Sequence, residues 1–121
     1  MTPTTTTQLD AKALRNLRLL DPNGSSGLVR RVLDTYLSSL ARLLGQLDAA
    51  ETRGDAAGIR LVTHTLKSSS ASIGALPLSQ LCGAAETAVR DAQVETLSGL
   101  LAQLRQEAEQ VVSAVHDELA D

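Results

Sequence analysis

Leu28-Val29-Arg30-Arg31-Val32-Leu33-Asp34-Thr35-Tyr36-Leu37-Ser38-Ser39-Leu40-Ala41-Arg42-Leu43-Leu44-Gly45-Gln46-Leu47 is a stretch in which apolar residues recur three or four positions apart almost without a break. At 3.6 residues per turn this spacing gathers Leu28, Val29, Val32, Leu33, Tyr36, Leu37, Leu40, Leu43, Leu44 and Leu47 on one face of a helix. A strand would alternate with period two, and no segment of the chain does so. The predicted helix runs from about Gly27 to Arg53. A helix with one long apolar stripe needs other helices to cover it.

Working outward, the turn residues mark further helices on both sides. Asp21-Pro22-Asn23-Gly24-Ser25-Ser26-Gly27 is a clear break. Before it, Asp10 is placed to cap a short helix to Leu20, with Leu14, Leu17 and Leu20 along one edge. After Arg53, Gly54 ends one helix and Asp55 caps the next, which is predicted to run to Ala75. Pro77 suits the first turn of a fourth helix through Leu78, Leu81, Cys82, Ala85 and Val89. The register weakens at Asp91-Ala92-Gln93, and a fifth helix follows through Val94, Leu97, Leu101, Leu104, Ala108, Val111, Val115 and Leu119. Four long amphipathic helices with short connections predict an all-α fold. Its expected form is an antiparallel up-down-up-down four-helix bundle with a short extra N-terminal helix. Residues 1–8, rich in threonine, are expected to be a flexible tail or linker, and residues 9–121 the bundle domain.

Composition narrows the function. The 121 residues suffice for one domain and one core, not for a large cleft between domains. Tyr36 is the only aromatic residue, so the core must be aliphatic. A net charge of −3 without a basic cluster argues against nucleic acid. One cysteine, Cys82, cannot form an internal disulfide or a cysteine-rich metal site, and is expected to be a small core residue. No apolar run is long enough to span a membrane, and the N-terminus lacks the pattern of a secretory signal. A cytoplasmic, monomeric protein is the expectation. There is no glycine-rich phosphate loop, no nucleotide pocket motif and no carboxylate cluster to bind a metal, so no cofactor is expected.

The third helix carries the chemistry. With His64 set at zero on the helical wheel, Ile59, Val62, Leu66, Ser69, Ser70 and Ile73 fall within about 60° of the opposite direction and should face the core. Ala57, Arg60, Leu61, Lys67, Ser68, Ala71 and Ala75 fall within about 60° of His64. The histidine face is thus mostly small residues with two cations, cleared for something to approach. An imidazole with an ammonium one turn away looks like a site that receives a phosphoryl group. Arg60, Leu61, Ala71 and Ala75, with Ala57, form a candidate docking patch around it. His116 lacks such neighbours and is expected on the surface.

The run His64-Thr65-Leu66-Lys67-Ser68-Ser69-Ser70-Ala71-Ser72-Ile73-Gly74 resembles the His-x-x-Lys-Gly-x-x-x-x-x-Gly pattern of histidine phosphotransfer (HPt) domains of bacterial multistep phosphorelays. Leu81-Cys82-Gly83-Ala84-Ala85-Glu86 is similar to the helix that follows in that family, and helix order and length agree over nearly the whole chain. The resemblance implies that His64 accepts a phosphoryl group from a receiver-domain aspartate and passes it to another receiver. It implies that Lys67 neutralises charge on the transferring group. Glu86 is the candidate to hold the second imidazole nitrogen, with Gln80 as a weaker one, and Gly74 is expected to serve helix packing or termination. Imidazole is an adequate nucleophile at neutral pH without an added base. The partners implied are receiver domains of a hybrid sensor kinase or a response regulator, which would bring the magnesium. The departure is Ser68, where the family often has glycine: its small side chain should narrow access slightly, and its hydroxyl could donate to a phosphoryl oxygen.

Two other readings compete. A non-catalytic helical adaptor would bind a receiver without accepting phosphate. The phosphoacceptor segment of a chemotaxis-type kinase shares the bundle and a similar motif, but needs a kinase domain that these residues do not contain. The chain itself is expected to have no kinase activity.

Overall fold

The computed structural model describes residues 7–120, and the first six residues of the expected tail lie outside them. The described chain forms five helices: α1 (Ala11–Leu19), α2 (Leu28–Arg53), α3 (Ala56–Ser72), α4 (Leu76–Arg90) and α5 (Val94–Ala120). Among the described residues there is no strand. Helices α2 to α5 pack as an antiparallel four-helix bundle, each against its sequence neighbour, with α5 closing the ring onto α2. The closest pair is α3 and α4.

Local chemistry sets each boundary. The Asp10 carboxylate caps α1 by accepting from the Ala13 N–H. Gly27 at the N-cap of α2 offers no side-chain cap. Asp21 supplies one from across the turn, accepting from the Leu28 N–H at 3.2 Å. Bonds from the Ser26 side chain, then the Leu28 backbone, hold the Asp21 carboxyl below its usual range. Gly54, at φ 64°, ends α2 in the left-handed conformation that glycine adopts without strain. Asp55 then caps α3 through the Gly58 N–H.

The third helix is shorter than expected. It stops at Ser72, and Gly74 turns the chain at φ 85°. A side chain at Gly74 would sit 2.6 Å from the backbone nitrogen of Asp10, whose N–H donates to the Gly74 carbonyl. Gly74 therefore both terminates α3 and lets the N-terminal segment dock on the α3–α4 turn. Leu9 and Leu14 are buried there, and Arg18 of α1 pairs with Glu118 of α5 at 2.9 Å. Thr7 donates to Glu107, so the chain already touches the bundle within the expected tail.

The core is aliphatic, with Leu33, Leu40, Leu47, Leu66, Leu78, Leu101 and Leu104 at most 1% exposed. Burying each such side chain contributes about 1.5–3 kcal/mol relative to leaving it in water. Two polar side chains of α3, Thr63 and Ser70, are also fully buried. Thr63 Oγ1 donates to the Arg60 carbonyl, and Ser70 shares a 2.8 Å hydrogen bond with Tyr36. Burial pushes the Tyr36 phenol up to about 12 and the Cys82 thiol up to about 12. Neither group ionises at neutral pH.

Candidate functional site

The site is built where α3 and α4 lie side by side. One face of α3 packs into the core through Ile59, Val62, Leu66 and Ser70, as the wheel predicts, while Ser69 is only partly buried. This packing leaves His64 on the outside, with 66% of its side chain exposed. Leu66 and His64 are two positions apart and face opposite ways, which a well-anchored helix enforces.

His64 Nδ1 lies 2.7 Å from Oε2 of Glu86 on α4. The other carboxylate oxygen, Oε1, accepts from Lys67 Nζ at 2.7 Å. One carboxylate thus holds both the imidazole and the ammonium. The lysine's hydrogen bond is the largest influence on Glu86 and, with that of His64, keeps its carboxyl below the usual range despite partial burial. Ionised Glu86 can only accept, so Nδ1 must carry the hydrogen. In the neutral ring, Nε2 then keeps its lone pair. It has no hydrogen-bond partner among the described residues.

Around this trio lie two shallow grooves. One is lined by Ala57, Arg60, Leu61 and His64, with Leu61 64% exposed. The other is lined by Arg60, Lys67, Gly83, Glu86, Thr87 and Arg90. Arg60 borders both. Ala71 and Ser68 are exposed on the same side. The Ser68 hydroxyl makes no hydrogen bond among the described residues. Those of Thr63, Thr65, Ser69, Ser70 and Ser72 all do.

Ala75 is a correction. It was expected in the docking patch but is 0% exposed. The wheel extended α3 to this residue, whereas the helix ends three positions earlier and the turn carries Ala75 inward as the N-cap of α4. Gln80 is exposed and makes no bond to the imidazole, which is held by Glu86. Sequence reasoning passed over two residues of α4. Ser79 donates to the Lys67 carbonyl at 2.7 Å, and Gly83 lies under the Lys67 side chain. A glycine in mid-helix was the available signal for the second.

Among the described residues no group of acidic, histidine or cysteine side chains is arranged to hold a metal ion, and no helix is long and apolar enough to cross a membrane. The arrangement can present a tautomer-fixed imidazole nitrogen to an approaching electrophile, with cations beside it.

The Hpt domain family matches residues 31–114. The fold is similar to the crystal structure of histidine-containing phosphotransfer protein B from Pseudomonas aeruginosa PAO1. The TM-score is 0.83 at 25% sequence identity, over 94% of this chain and 96% of that one. Among curated proteins, none is significantly similar in sequence. With the matching segment covering most of the bundle and the whole of the α3–α4 site, the chain belongs to the Hpt domain family, the histidine phosphotransfer proteins of phosphorelays.

Proposed function

We propose that His64 Nε2 takes a phosphoryl group from the phosphoaspartate of one receiver domain and hands it to the aspartate of another. The observation that carries this reading is the 2.7 Å bond between His64 Nδ1 and Glu86. With Glu86 ionised, this bond supports a hydrogen on the inner nitrogen and an outer lone pair that attacks. As Nε2 bonds to phosphorus, the P–O bond to the receiver aspartate breaks and the aspartate leaves as a carboxylate. Nδ1 keeps its hydrogen, so the phosphorylated ring carries positive charge, which the Glu86 carboxylate stabilises. Transfer onward is the same step reversed onto a second aspartate.

Lys67, bound to the same carboxylate as His64, supplies the cation that meets the phosphoryl oxygens. Ser68, one turn beyond His64, offers its uncommitted hydroxyl to the same group. Arg60, Leu61 and Ala71 form the docking rim, with apolar contact from Leu61 and charge from Arg60. The receiver brings the magnesium. This chain needs no cofactor, has no kinase activity and works as a cytoplasmic monomer, between a hybrid sensor kinase and a response regulator.

The test is to mix the protein with a radiolabelled, phosphorylated receiver and follow the label. Wild type should become labelled at histidine within the mixing experiment, and His64→Gln should stay unlabelled. Equal labelling of His64→Gln would overturn the assignment. An unlabelled wild type that still binds the receiver would make the protein an adaptor.

A further inference from the structure

We infer that Gly83 is a positioning residue: it opens a channel across α4 in which the Lys67 stem lies, and so sets where the lysine's charge sits. The inference rests on the reading of Lys67 as the cation that meets the phosphoryl group.

Two hydrogen bonds, with a glycine between them on one stripe of α4, flank Lys67 from backbone to tip. At the base, Ser79 Oγ donates to the Lys67 carbonyl at 2.7 Å. At the tip, Glu86 Oε1 accepts from Nζ at 2.7 Å. Between them, four positions after Ser79 and three before Glu86, stands Gly83 on the same face. A Cβ built there would lie 3.3 Å from Lys67 Cδ, tighter than normal carbon–carbon contact. Lys67 Cδ is the one atom such a Cβ would crowd. Glycine is a poor residue for the interior of α4, where alanine would make a better helix. Gly45 and Gly99, also inside long helices, have open space at the corresponding position, while Gly58, in the first turn of α3, is crowded by its own cap Asp55 and by Ala50.

The consequence is a division of the Glu86 carboxylate. With the stem seated, Oε1 is held by the ammonium and Oε2 is left for the imidazole. A methyl group at residue 83 pushes the stem aside by a few tenths of an ångström, which lengthens the path to Oε1 and loosens the ammonium's hold on it. Lys67 then spends less time within reach of the phosphoryl oxygens, and the carboxylate loses the restraint that aims Oε2 at Nδ1. The helix itself gains from the same change.

Stability and reactivity should therefore move in opposite directions. The experiment loads His64 with phosphoramidate, whose P–N bond breaks with ammonia leaving, in wild type, Gly83→Ala, Lys67→Ala and the double variant. Thermal melts are recorded on all four. Gly83→Ala is expected to melt a few degrees higher and to load more slowly by about 3- to 10-fold, less than the ~10²-fold of deleting a charge-stabilising donor outright. In the Lys67→Ala background the same glycine substitution should leave the loading rate unchanged. Equal loading of wild type and Gly83→Ala would overturn the inference. So would an undiminished slowing without Lys67, or loss of the fold in both glycine variants, since each makes the glycine a matter of backbone packing. If Lys67→Ala alone loads like wild type, it is the reading of Lys67 that has failed. Labelling of His64→Gln would instead remove the acceptor assignment.

Discussion

The inward and outward faces of α3 follow opposite rules within a single turn. Inward, Ile59, Val62 and Leu66 are at most 5% exposed, and the hydroxyls of Thr63 and Ser70 are both hydrogen-bonded. Nothing polar there is left wanting, as burial demands. Outward, Leu61 and His64 stand in solvent, the imidazole keeps one nitrogen free of any partner among the described residues, and the Ser68 hydroxyl is likewise free. The contrast shows how a site with no cleft achieves fixed geometry. The core side of the helix supplies the rigidity, and a single carboxylate from α4 supplies the orientation.

The sharpest way to break this comparison is to exchange the two roles by mutation. His64→Gln should abolish phosphoryl acceptance while shifting stability by no more than about 0.5 kcal/mol, as surface substitutions do. Leu66→Ala, two residues away, should destabilise the fold by about 2–5 kcal/mol through lost burial and the cavity left behind. That is a large share of the roughly 5–15 kcal/mol that holds a domain together. Denaturant unfolding and phosphoramidate labelling, run side by side, check both. A His64 variant as unstable as the Leu66 variant would mean that the outward face is structural after all.

Glu86 serves the outward face through both its oxygens, and its removal should be felt mainly there. Glu86→Ala frees both the imidazole and the ammonium, and labelling should slow by about tenfold while the fold persists. The carboxyl is held below its usual range, chiefly by Lys67. Its folded pKa is depressed, so its stabilising contacts are complete above the unfolded carboxylate pKa. They are lost only as pH falls through the lower folded value. An NMR titration of the Glu86 side chain should place its midpoint below the usual glutamate range. On the inward side the matching change is Tyr36→Phe, which strands the buried Ser70 hydroxyl and should cost about 1–2 kcal/mol without slowing labelling.

Much of this was legible in the order of residues. Helix periods and turn residues placed all five helices, because Leu, Val and Ala at 3.6 spacing leave few alternatives to a bundle. His64, Lys67 and Glu86 could be paired through motif resemblance, and the packing of α3 on α4 brings all three together. The error at Ala75 came from extending a wheel through a glycine. Angular position stops meaning anything once the backbone leaves the helix, and Gly74 leaves it at φ 85°. The α4–α5 turn was visible only as a weakened register, since no glycine marks it: Ala92 takes φ 54° instead. Thr63 was not expected in the core, because a β-branched polar residue meets the burial requirement only through a local bond to the Arg60 carbonyl. The contacts of Ser79 and Gly83 depend on how α3 and α4 are set side by side, which helical period does not determine.

The smallest expected effect belongs to Ser68, and it sharpens the outward rule. Serine at this position adds one hydroxymethyl group beside the imidazole, on the turn after His64. Two consequences oppose each other. The group narrows the approach of a partner's backbone, while its free hydroxyl can donate to a phosphoryl oxygen. A single hydrogen bond contributes about 0.5–1.5 kcal/mol net, and relief of crowding by so small a group is of similar size. Ser68→Gly should therefore change transfer from a phosphorylated receiver by less than about 3-fold, and lower helix stability by about 0.5 kcal/mol. Phosphoramidate is too small to feel the crowding, so with this donor only the lost hydroxyl counts and the variant should load slightly more slowly. Faster transfer from the receiver together with slower loading by phosphoramidate separates the two consequences. A change of tenfold or more in the same direction with both donors would mean that Ser68 takes part in holding the imidazole itself, and the outward face would then be less open than its exposure implies.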